Sequence, residues 1–337
     1  MLCQQGFLRI EEMSVIVTGD RPTGRLHLGH YVGSLKNRLA LQGQHPMYII
    51  VADTQVMNND AMKCRQSHAN IVELIKDYLA VGIDPTKATI FVQSMIPSLF
   101  KLTSYLSNIT TLAQVMRNPT IKAENDLYNN VMSLGFINYP VSQTADIVMF
   151  DGDLVPVGAD QLPILDLAND LIQRFNHMFE PKQALRYIHP MLSETPRLLG
   201  VDGSGKMSKS LNNCIHLSDD EATVNAAVKS MYTDEGHLRV SDPGKVEGNV
   251  VFSFLDAFHP DKEEVAALKE HYRRGGLGDM ILKKMLMADL QTILEPIRAA
   301  RADITNAMVY DVIDTGNRAA NMKANTTMDN IERAMFG

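Results

Sequence analysis

The stretch Thr18-Gly-Asp-Arg-Pro-Thr-Gly-Arg-Leu-His-Leu-Gly-His30 is the most informative part of this sequence. It directly follows Ser14–Thr18 (SVIVT), a β-branched apolar run typical of a buried strand. Residues 19–24 are rich in turn formers and predict a loop. Apolar residues then recur at helical spacing from Leu28 to Leu39. We therefore expect a strand, a loop and a helix in that order.

The same alternation continues along the chain. Met47–Ala52 and Thr89–Val92 predict two further buried strands, and residues 62–81 predict an amphipathic helix that ends at Gly82. Strands that alternate with helices in this way are typical of a parallel sheet with crossover connections.

The remaining elements extend this pattern into a second, helical part. Residues 98–150 have a helical pattern with a kink expected at Pro140, followed by a short strand at 154–157 and a helix that begins near residue 162. Five more helices are predicted at 219–231, 247–257, 261–273, 277–303 and 305–335. We expect an α/β fold: a flexible extension at 1–13, a Rossmann-type parallel-sheet domain at 14–205 with a helical insertion around 98–150, and an all-helical domain at 206–337.

Composition excludes several classes of protein. The chain has 337 residues, of which 45% are hydrophobic and 21% charged, which excludes a disordered chain. Its apolar runs are shorter than the ~18 residues of a membrane span. Cys3, Cys64 and Cys214 are too scattered for a disulfide framework or a metal site. The net charge of −7 excludes a uniformly basic nucleic-acid coat, so a cytoplasmic protein without a membrane partner is expected.

His27 and His30 are the first candidate site residues. They lie three positions apart, so both fall on one face of a first helical turn. That turn would offer free backbone N–H groups and the positive end of the helix dipole, which together favour a phosphate. Gly29 has no Cβ and would let a flat base approach the backbone. No further ligand type stands at metal-site spacing nearby.

The second candidate is the loop Gly203-Ser-Gly-Lys-Met-Ser-Lys-Ser210. Lys206 and Lys209 flank Met207 and Ser208, and two mobile cations could close on a polyphosphate; a solvated basic loop remains the alternative. A P-loop is a poor alternative, because Met207 stands where a hydroxyl must reach magnesium.

Together, HLGH at 27–30 and KMSKS at 206–210 resemble the two signatures of the class I aminoacyl-tRNA synthetases. Three more stretches are similar to the tryptophanyl-tRNA synthetase family: Asn138–Val148 (NYPVSQTADIV), Leu154–Gln161 (LVPVGADQ) and Gly82–Thr86 (GIDPT). The resemblance spans roughly residues 14–337. It implies a homodimeric Rossmann-fold enzyme that activates L-tryptophan with ATP and transfers it to tRNA(Trp), with a helical anticodon-binding domain.

The resemblance also implies site residues. The catalytic residues would be His27, His30, Lys206 and Lys209. The ATP-binding residues would be Asp20, Arg21, Thr23, Gly29, His30, Gly158, Asp160, Lys206, Met207, Ser208 and Lys209. The tryptophan-binding residues would be Val17, Tyr139, Gln143, Asp146, Val155, Val157 and Gln161. Magnesium would arrive with ATP, and no protein-bound metal is expected.

These residue types suit the implied reaction. The attacking carboxylate is already an anion, so alignment and charge neutralisation suffice and no general base is needed. Indole offers one N–H donor, and an ionised Asp146 is a pure acceptor. A phenol would satisfy the same acceptor, so a tyrosyl-tRNA synthetase is the near alternative. A nucleotidyltransferase for another carboxylate and a non-catalytic RNA-binding paralogue are the alternatives from other classes.

Some positions depart from the commoner bacterial pattern of this family, which indicates a divergent subgroup. These positions are Val17, Gln55, Gln143 and the loop at 18–24. The surfaces for partners are only weakly indicated. The dimer interface is expected on apolar residues of the helices around 98–135, namely Leu102, Tyr105, Leu106, Ile109, Leu112, Val115 and Met116. Candidate tRNA phosphate contacts are Arg117, Lys122, Lys269–Arg274 and Lys283–Lys284.

Overall fold

The computed structural model describes residues 14–58, 61–127, 132–179, 185–192, 198–205, 207 and 209–337. The predicted extension at 1–13 and two predicted site residues, Lys206 and Ser208, lie outside these ranges. The described part contains a five-stranded parallel sheet of order β3-β2-β1-β4-β5. Its strands are β1 Ile16–Asp20, β2 Met47–Val51, β3 Ala88–Val92, β4 Leu154–Val157 and β5 His189–Leu192. The predicted α/β class and parallel sheet are confirmed.

β1 begins and ends two residues later than the sequence predicts. Gly19 does not close the strand but pairs with Ile50 within it. A Cβ at position 19 would lie 2.3 Å from the carbonyl oxygen of Ile50, so the close approach of β2 requires glycine there. The strand therefore carries Asp20 to its carboxyl end, beside the point between β1 and β4 where the strand order reverses. Ligands of such sheets bind at that point.

β5 is a strand that the sequence did not reveal. Its residues are mostly exposed, and among the described strands it pairs with β4 alone, in the register His189 with Leu154. An edge strand of this kind lacks the apolar run that marks a buried parallel strand.

The helices of the first half are more interrupted than predicted. The run α1 consists of Leu28–His30, a π-helical segment Tyr31–Leu35, and Lys36–Leu41; α2 is Ser67–Ala80. The single helical region expected at 98–150 is four helices: α3 Pro97–Asn108, α4 Leu112–Arg117, α5 Pro119–Leu127 and α6 Leu134–Val148, which contains Pro140. Polar caps cause part of this division, since Thr111 accepts a hydrogen bond from the backbone N–H of Gln114, and Ser133 from that of Phe136. α7 is Leu162–Phe179.

The helices of the second half match the prediction to within three residues at every end. They are α8 Glu221–Ser230, α9 Val250–Phe258, α10 Lys262–Arg274, α11 Asp279–Asp303 and α12 Asn306–Phe336. No helix of the described residues is long and apolar enough to cross a membrane.

The last helix returns to the sheet. α12 lies along the edge strand β3, where Asn317 accepts a hydrogen bond from the backbone N–H of Val92 at 2.9 Å. Gly316 allows this approach, because a Cβ there would lie 1.7 Å from the carbonyl oxygen of Ile90. The helix thereby covers part of an open sheet edge. The domain boundary at 205/206 stays a prediction, and α12 touches both predicted domains.

Several residues expected at a dimer interface belong instead to the core of this chain. Leu102 and Leu106 are buried because α3 packs against α6 and α12, and Val115 is buried where α4 packs against α5 and α6. Tyr105 donates a hydrogen bond to Glu332 of α12. Leu112 is exposed over 62% of its surface and remains available for a partner.

Candidate active site

A cavity of about 500 Å³ lies at the carboxyl ends of β1, β2 and β4. All seven residues predicted to bind tryptophan border it, and so do five of those predicted to bind ATP: Asp20, Arg21, Thr23, His30 and Gly158. The two predicted sets are thus brought to one cavity by strands that are distant in sequence.

The start of α1 is closed by the two histidines of the first signature. His27 accepts a hydrogen bond from the backbone N–H of Gly29 at 3.1 Å, and His30 accepts one from the backbone N–H of His27 at 3.3 Å. The ring centroids are 3.8 Å apart. A Cβ at Gly29 would lie 2.9 Å from the His27 ring, so the missing Cβ makes room for this cap.

The prediction of free backbone N–H groups at this helix start is wrong. The N–H groups of His27 and Gly29 donate to histidine rings, and that of Leu28 donates to Ile215. The N–H of His30 donates to the carbonyl oxygen of His27. Because all four are occupied, a phosphate at this turn would depend on side chains rather than on the helix end.

Both histidines are neutral near pH 7. Burial, reinforced by the neighbouring His30, lowers the pKa of His27 to about 2. Burial also lowers the pKa of His30 to about 4, against the opposing pull of Asp20. The two rings therefore act as hydrogen-bonding groups, and the positive charge of the site must come from lysine and arginine.

The second signature packs on the first. Residues 26–28 pair with 215–217, through hydrogen bonds from Leu28 N–H to Ile215 and from Leu217 N–H to Leu26. Met207 is buried, and its sulfur would be 3.6 Å from a Cβ on Gly29. The side chain of Met207 therefore lies against the HLGH turn.

Lys209 lies at the rim of the cavity. Its ammonium donates to the hydroxyl of Thr23 at 3.1 Å and to the carbonyl oxygen of Gly24 at 3.0 Å. Burial lowers its pKa. Thr23 borders the cavity and Lys209 does not, so Lys209 contacts a residue of the cavity wall rather than the cavity itself.

Asp20 is not a free ligand for a nucleotide. Its Oδ2 accepts hydrogen bonds from Arg38 at 2.8 Å and from the hydroxyl of Tyr78 at 2.7 Å. Burial alone would raise the pKa of Asp20, but Arg38 and Tyr78 lower it to about 2. Asp20 is therefore a carboxylate whose charge Arg38 neutralises inside the protein.

The sequence did not reveal Arg38 and Tyr78 as part of the site. Arg38 is 1% exposed, and its guanidinium carbon lies 5.5 Å from the centre of the Tyr78 ring. The available signal was an arginine three residues after Leu35, within an apolar helical stripe, where a charge is rare unless it is paired.

The acceptor predicted for an indole N–H lies inside a wall of the cavity. Asp146 on α6 is 3% exposed and accepts hydrogen bonds from the side-chain amides of Gln93 and Gln55. Burial raises its pKa to about 7, although both amides act in the opposite direction. The buried valines Val17 and Val155 border the same space.

The remaining predicted residues lie around this wall. Tyr139 donates a hydrogen bond to Glu124 at 3.1 Å, and both residues border the cavity. Gln161 donates to Asp160, which is exposed and does not border the cavity. The sequence did not predict Glu124 as a site residue, because no motif in the neighbouring sequence includes it.

The basic groups predicted to contact tRNA are partly engaged within the chain. Lys269 pairs with Asp256 at 2.6 Å, and Arg273 pairs with Glu247 and Glu270. Lys283 is 8% exposed and donates to the carbonyl oxygens of Lys229 and Met231. The expectation that Lys283 contacts phosphate is wrong, since it binds the carbonyl groups at the end of α8.

Comparison with known proteins identifies the family. The model of the class I tRNA synthetases (W and Y) matches residues 9–295. A tryptophan–tRNA ligase of Streptococcus mutans is 45% identical over 331 residues, which are 95% of this chain and 97% of that protein. The corresponding protein of Clostridium longisporum is 44% identical over 333 residues, which are 95% and 96% of the two chains.

Solved structures agree with these relatives. A tryptophanyl-tRNA synthetase of Campylobacter jejuni, crystallised with ADP and tryptophan, has a TM-score of 0.79 at 26% identity and covers 95% of this chain and 99% of its own. The enzyme of Mycoplasma pneumoniae also has a TM-score of 0.79 at 26% identity, over 96% and 98% of the two chains. The chain therefore belongs to the class I tRNA synthetases of the tryptophan and tyrosine type, and within them to the tryptophanyl-tRNA synthetase family.

Proposed function

We propose that this protein is a tryptophan–tRNA ligase. It activates L-tryptophan with ATP to form tryptophanyl-adenylate and pyrophosphate, and then transfers tryptophan to tRNA(Trp). The observation that carries the proposal is Asp146, a buried acceptor in the wall of a cavity that the first-signature loop also borders. The relatives named tryptophan–tRNA ligase support the same activity.

In this proposal the apolar wall receives the indole ring. Val17, Val155 and Val157 provide the wall, and Asp146 accepts the ring N–H. Tyr139 and Gln161 are assigned to the ammonium and carboxylate of the amino acid. A site built around one hydrogen bond discriminates strongly against a ring that cannot make it.

The nucleotide is assigned to the other part of the cavity. His30, Arg21 and Thr23 border it, while His27 and Gly29 shape the helix start behind them. The carboxylate of tryptophan would attack the α-phosphate, and Lys206 and Lys209 would stabilise the departing pyrophosphate. Magnesium would enter with ATP; within the described ranges no group of three or more His, Cys, Asp or Glu side chains could hold a metal ion.

The proposal extends to partners and to the second domain. The helices of residues 206–337 are assigned to the tRNA anticodon, and the protein is assigned to the cytoplasm. A homodimer is supported by the exposed side chains of Phe100, Leu112 and Leu134, which lie in the predicted interface region. Light scattering at micromolar concentration would give twice the chain mass if this is correct.

ATP–pyrophosphate exchange with each of the twenty amino acids separately tests the reaction and its substrate together. Exchange with tryptophan, followed by charging of tRNA(Trp), is the expected result. Exchange with tyrosine alone would show that the protein is a tyrosyl-tRNA synthetase instead. No exchange with any amino acid would favour the non-catalytic paralogue or a nucleotidyltransferase for another carboxylate.

Replacement of Lys209 tests the assignment of the second signature. Lys209→Ala should slow activation by about 10²–10³, because one preorganised donor to developing charge is lost. Lys87→Ala is a matched control, since Lys87 is exposed and pairs, among the described residues, with Asp84 at 3.6 Å. Activation by Lys209→Ala within about threefold of the wild-type rate would remove Lys209 from the catalytic set.

A further inference from the structure

Gln93 lies directly behind the acceptor that the proposed function assigns to the indole ring. It begins the short helical turn Gln93–Met95 after β3 and is 1% exposed. Gln55, the other amide that contacts Asp146, borders the cavity, whereas Gln93 does not border it in the described part of the chain. Gln93 therefore cannot touch a ligand there and acts only through Asp146.

The orientation of the Gln93 amide is determined by the partners of its nitrogen and of its oxygen. Its Nε2 donates to Oδ1 of Asp146 at 2.9 Å and to Oδ2 at 2.7 Å. On the other side, the hydroxyl of Thr54 donates to Gln93 Oε1 at 2.5 Å. A flipped amide would place its oxygen against two carboxylate oxygens, so the NH₂ group must face Asp146.

The hydrogen bonds also determine how many ligand donors Asp146 can accept. An ionised carboxylate has about four acceptor sites, two on each oxygen. Oδ2 accepts from Gln93 and from Gln55, the latter at 3.1 Å, and Oδ1 accepts from Gln93. Within the described residues about one acceptor site is left, on Oδ1, and it matches a ring with a single N–H donor.

We propose that Gln93 is a specificity-determining positioning residue, which aims Asp146 and keeps it in the acceptor form that reads an indole N–H. This inference rests on the proposed function. A protonated Asp146 would present an O–H donor to the ring and would no longer recognise its N–H. Gln93 opposes that protonation through the hydrogen bonds of its Nε2 to both carboxylate oxygens, without adding a charge that an apolar ring would have to face.

The electrostatic surroundings make this role necessary. Burial raises the pKa of Asp146 to about 7, and the negative charge of Asp53, which follows β2, acts in the same direction. Around the cavity the other charged or titratable side chains include Arg21, Glu124 and Tyr139. The hydrogen bonds from Gln93 and Gln55 are the groups that lower the pKa, so loss of Gln93 should move it upward.

The pH dependence of tryptophan binding tests the proposal. Gln93→Met keeps the volume and removes both N–H donors. At neutral pH it should raise the KM for tryptophan about fivefold and change the KM for ATP little, since a shift of one pH unit upward from a pKa near 7 lowers the ionised fraction of Asp146 at pH 7 from about one half to about one tenth. Between about pH 5.5 and 8.5 the loss should shrink as pH rises, because Asp146 ionises again.

Direct binding provides a second readout. The chain has no tryptophan, so the fluorescence of bound L-tryptophan reports on the site without background from protein indoles. Thr54→Val is the milder variant, because it removes the hydrogen bond that orients the Gln93 amide and leaves Asp146 unchanged. Its affinity for L-tryptophan should also fall, by a smaller factor. If Gln93→Met does not fold, Thr54→Val alone tests the pH shift.

Two outcomes would overturn the inference. A KM for tryptophan that rises equally at all pH values would mean that Gln93 does not act through the ionisation of Asp146, and an unchanged pH profile in both variants would mean that it has no role in recognition. Wild-type protein measured in parallel separates the two proposals. Absence of tryptophan-dependent pyrophosphate exchange in the wild type contradicts the function itself, whereas wild-type exchange with an unchanged variant profile contradicts only the role of Gln93.

Discussion

Asp20 and Asp146 are two carboxyl groups that border one cavity and have opposite electrostatic environments. Both are removed from solvent, with Asp146 3% exposed and the Asp20 side chain 17% exposed. The pKa of Asp20 is lowered to about 2, whereas that of Asp146 is raised to about 7. The difference is the partner: Asp20 has the guanidinium of Arg38, and Asp146 has two neutral amides. Burial alone therefore does not determine the charge of a carboxyl group; the charge of its neighbours does.

The two environments suit two roles. Asp20 is the last residue of β1, and its negative charge is balanced within the protein by Arg38. Asp146 keeps an acceptor for a neutral donor and carries no salt bridge that would have to be broken when the ring binds. The same residue type thus supports structure at one end of the cavity and, in the proposed function, recognition at the other.

Removal of the cation at Asp20 should have the largest effect. Arg38→Met leaves the largely buried Asp20 carboxylate with Tyr78 as its one remaining side-chain hydrogen-bond partner among the described residues, and the free energy of unfolding should fall by about 3–5 kcal/mol. Urea denaturation followed by circular dichroism measures this loss. The double variant Asp20→Asn with Arg38→Met should recover part of it, because no unpaired charge remains. A single variant within about 1 kcal/mol of the wild type would contradict the pairing.

An effect of intermediate size is expected on the pH dependence of the free energy of unfolding, which should differ between Asp146 and Asp20. The folded-state pKa of Asp146, about 7, exceeds its unfolded value of 3.8, so the folded state holds a proton that the unfolded state releases between these values. The free energy of unfolding of the wild type, relative to that of Asp146→Asn, should therefore rise by about 2–3 kcal/mol as pH falls from 7 to 5. Denaturation of both proteins across this range measures the difference.

Asp20 should behave in the opposite way. Its folded-state pKa of about 2 lies below the unfolded value of 3.8, so its stabilising contribution is complete above pH 3.8 and is lost as pH falls through 2. The difference in free energy of unfolding between the wild type and Asp20→Asn should therefore not change between pH 7 and 5. A slope for Asp20 in that window, or none for Asp146, would invalidate the contrast.

Loss of the Tyr78 hydroxyl should have the smallest effect. Tyr78→Phe keeps the ring beneath Arg38 and removes one hydrogen bond to the Asp20 carboxylate, which should cost about 1.5–3 kcal/mol. Urea denaturation measures the cost, and Tyr48→Phe serves as a control ring on β2. A loss as large as that of Arg38→Met would show that the hydroxyl, rather than the cation, holds Asp20.

Local patterns in the sequence predicted much of the fold. Four of the five strands and the five helices after residue 219 were found from apolar runs and helical spacing, which depend on neighbouring residues only. The predictions erred where the surroundings determine the outcome. Gly19 stays inside β1 because β2 approaches it, and the exposed edge strand β5 has no pattern of its own.

The candidate site shows the same division. HLGH and KMSKS are contiguous, so the sequence located His27, His30 and Lys209 directly. Tyr78 contacts Asp20 from 58 positions away and Gln93 contacts Asp146 from 53 positions away, so no local pattern could pair them. Free N–H groups were expected at the start of α1 because residues 215–217, which occupy one of them, are remote in the chain.

The sequence by itself determined the parallel α/β fold, the family and the residues that are proposed to form a tryptophan-activating site. Only the tertiary structure decided the charge of those residues: neutral histidines, a neutralised Asp20 and an Asp146 that titrates near neutrality. The physical reason is that residue types and their spacing are written along the chain, whereas a pKa depends on burial and on distances between side chains that only folding brings together.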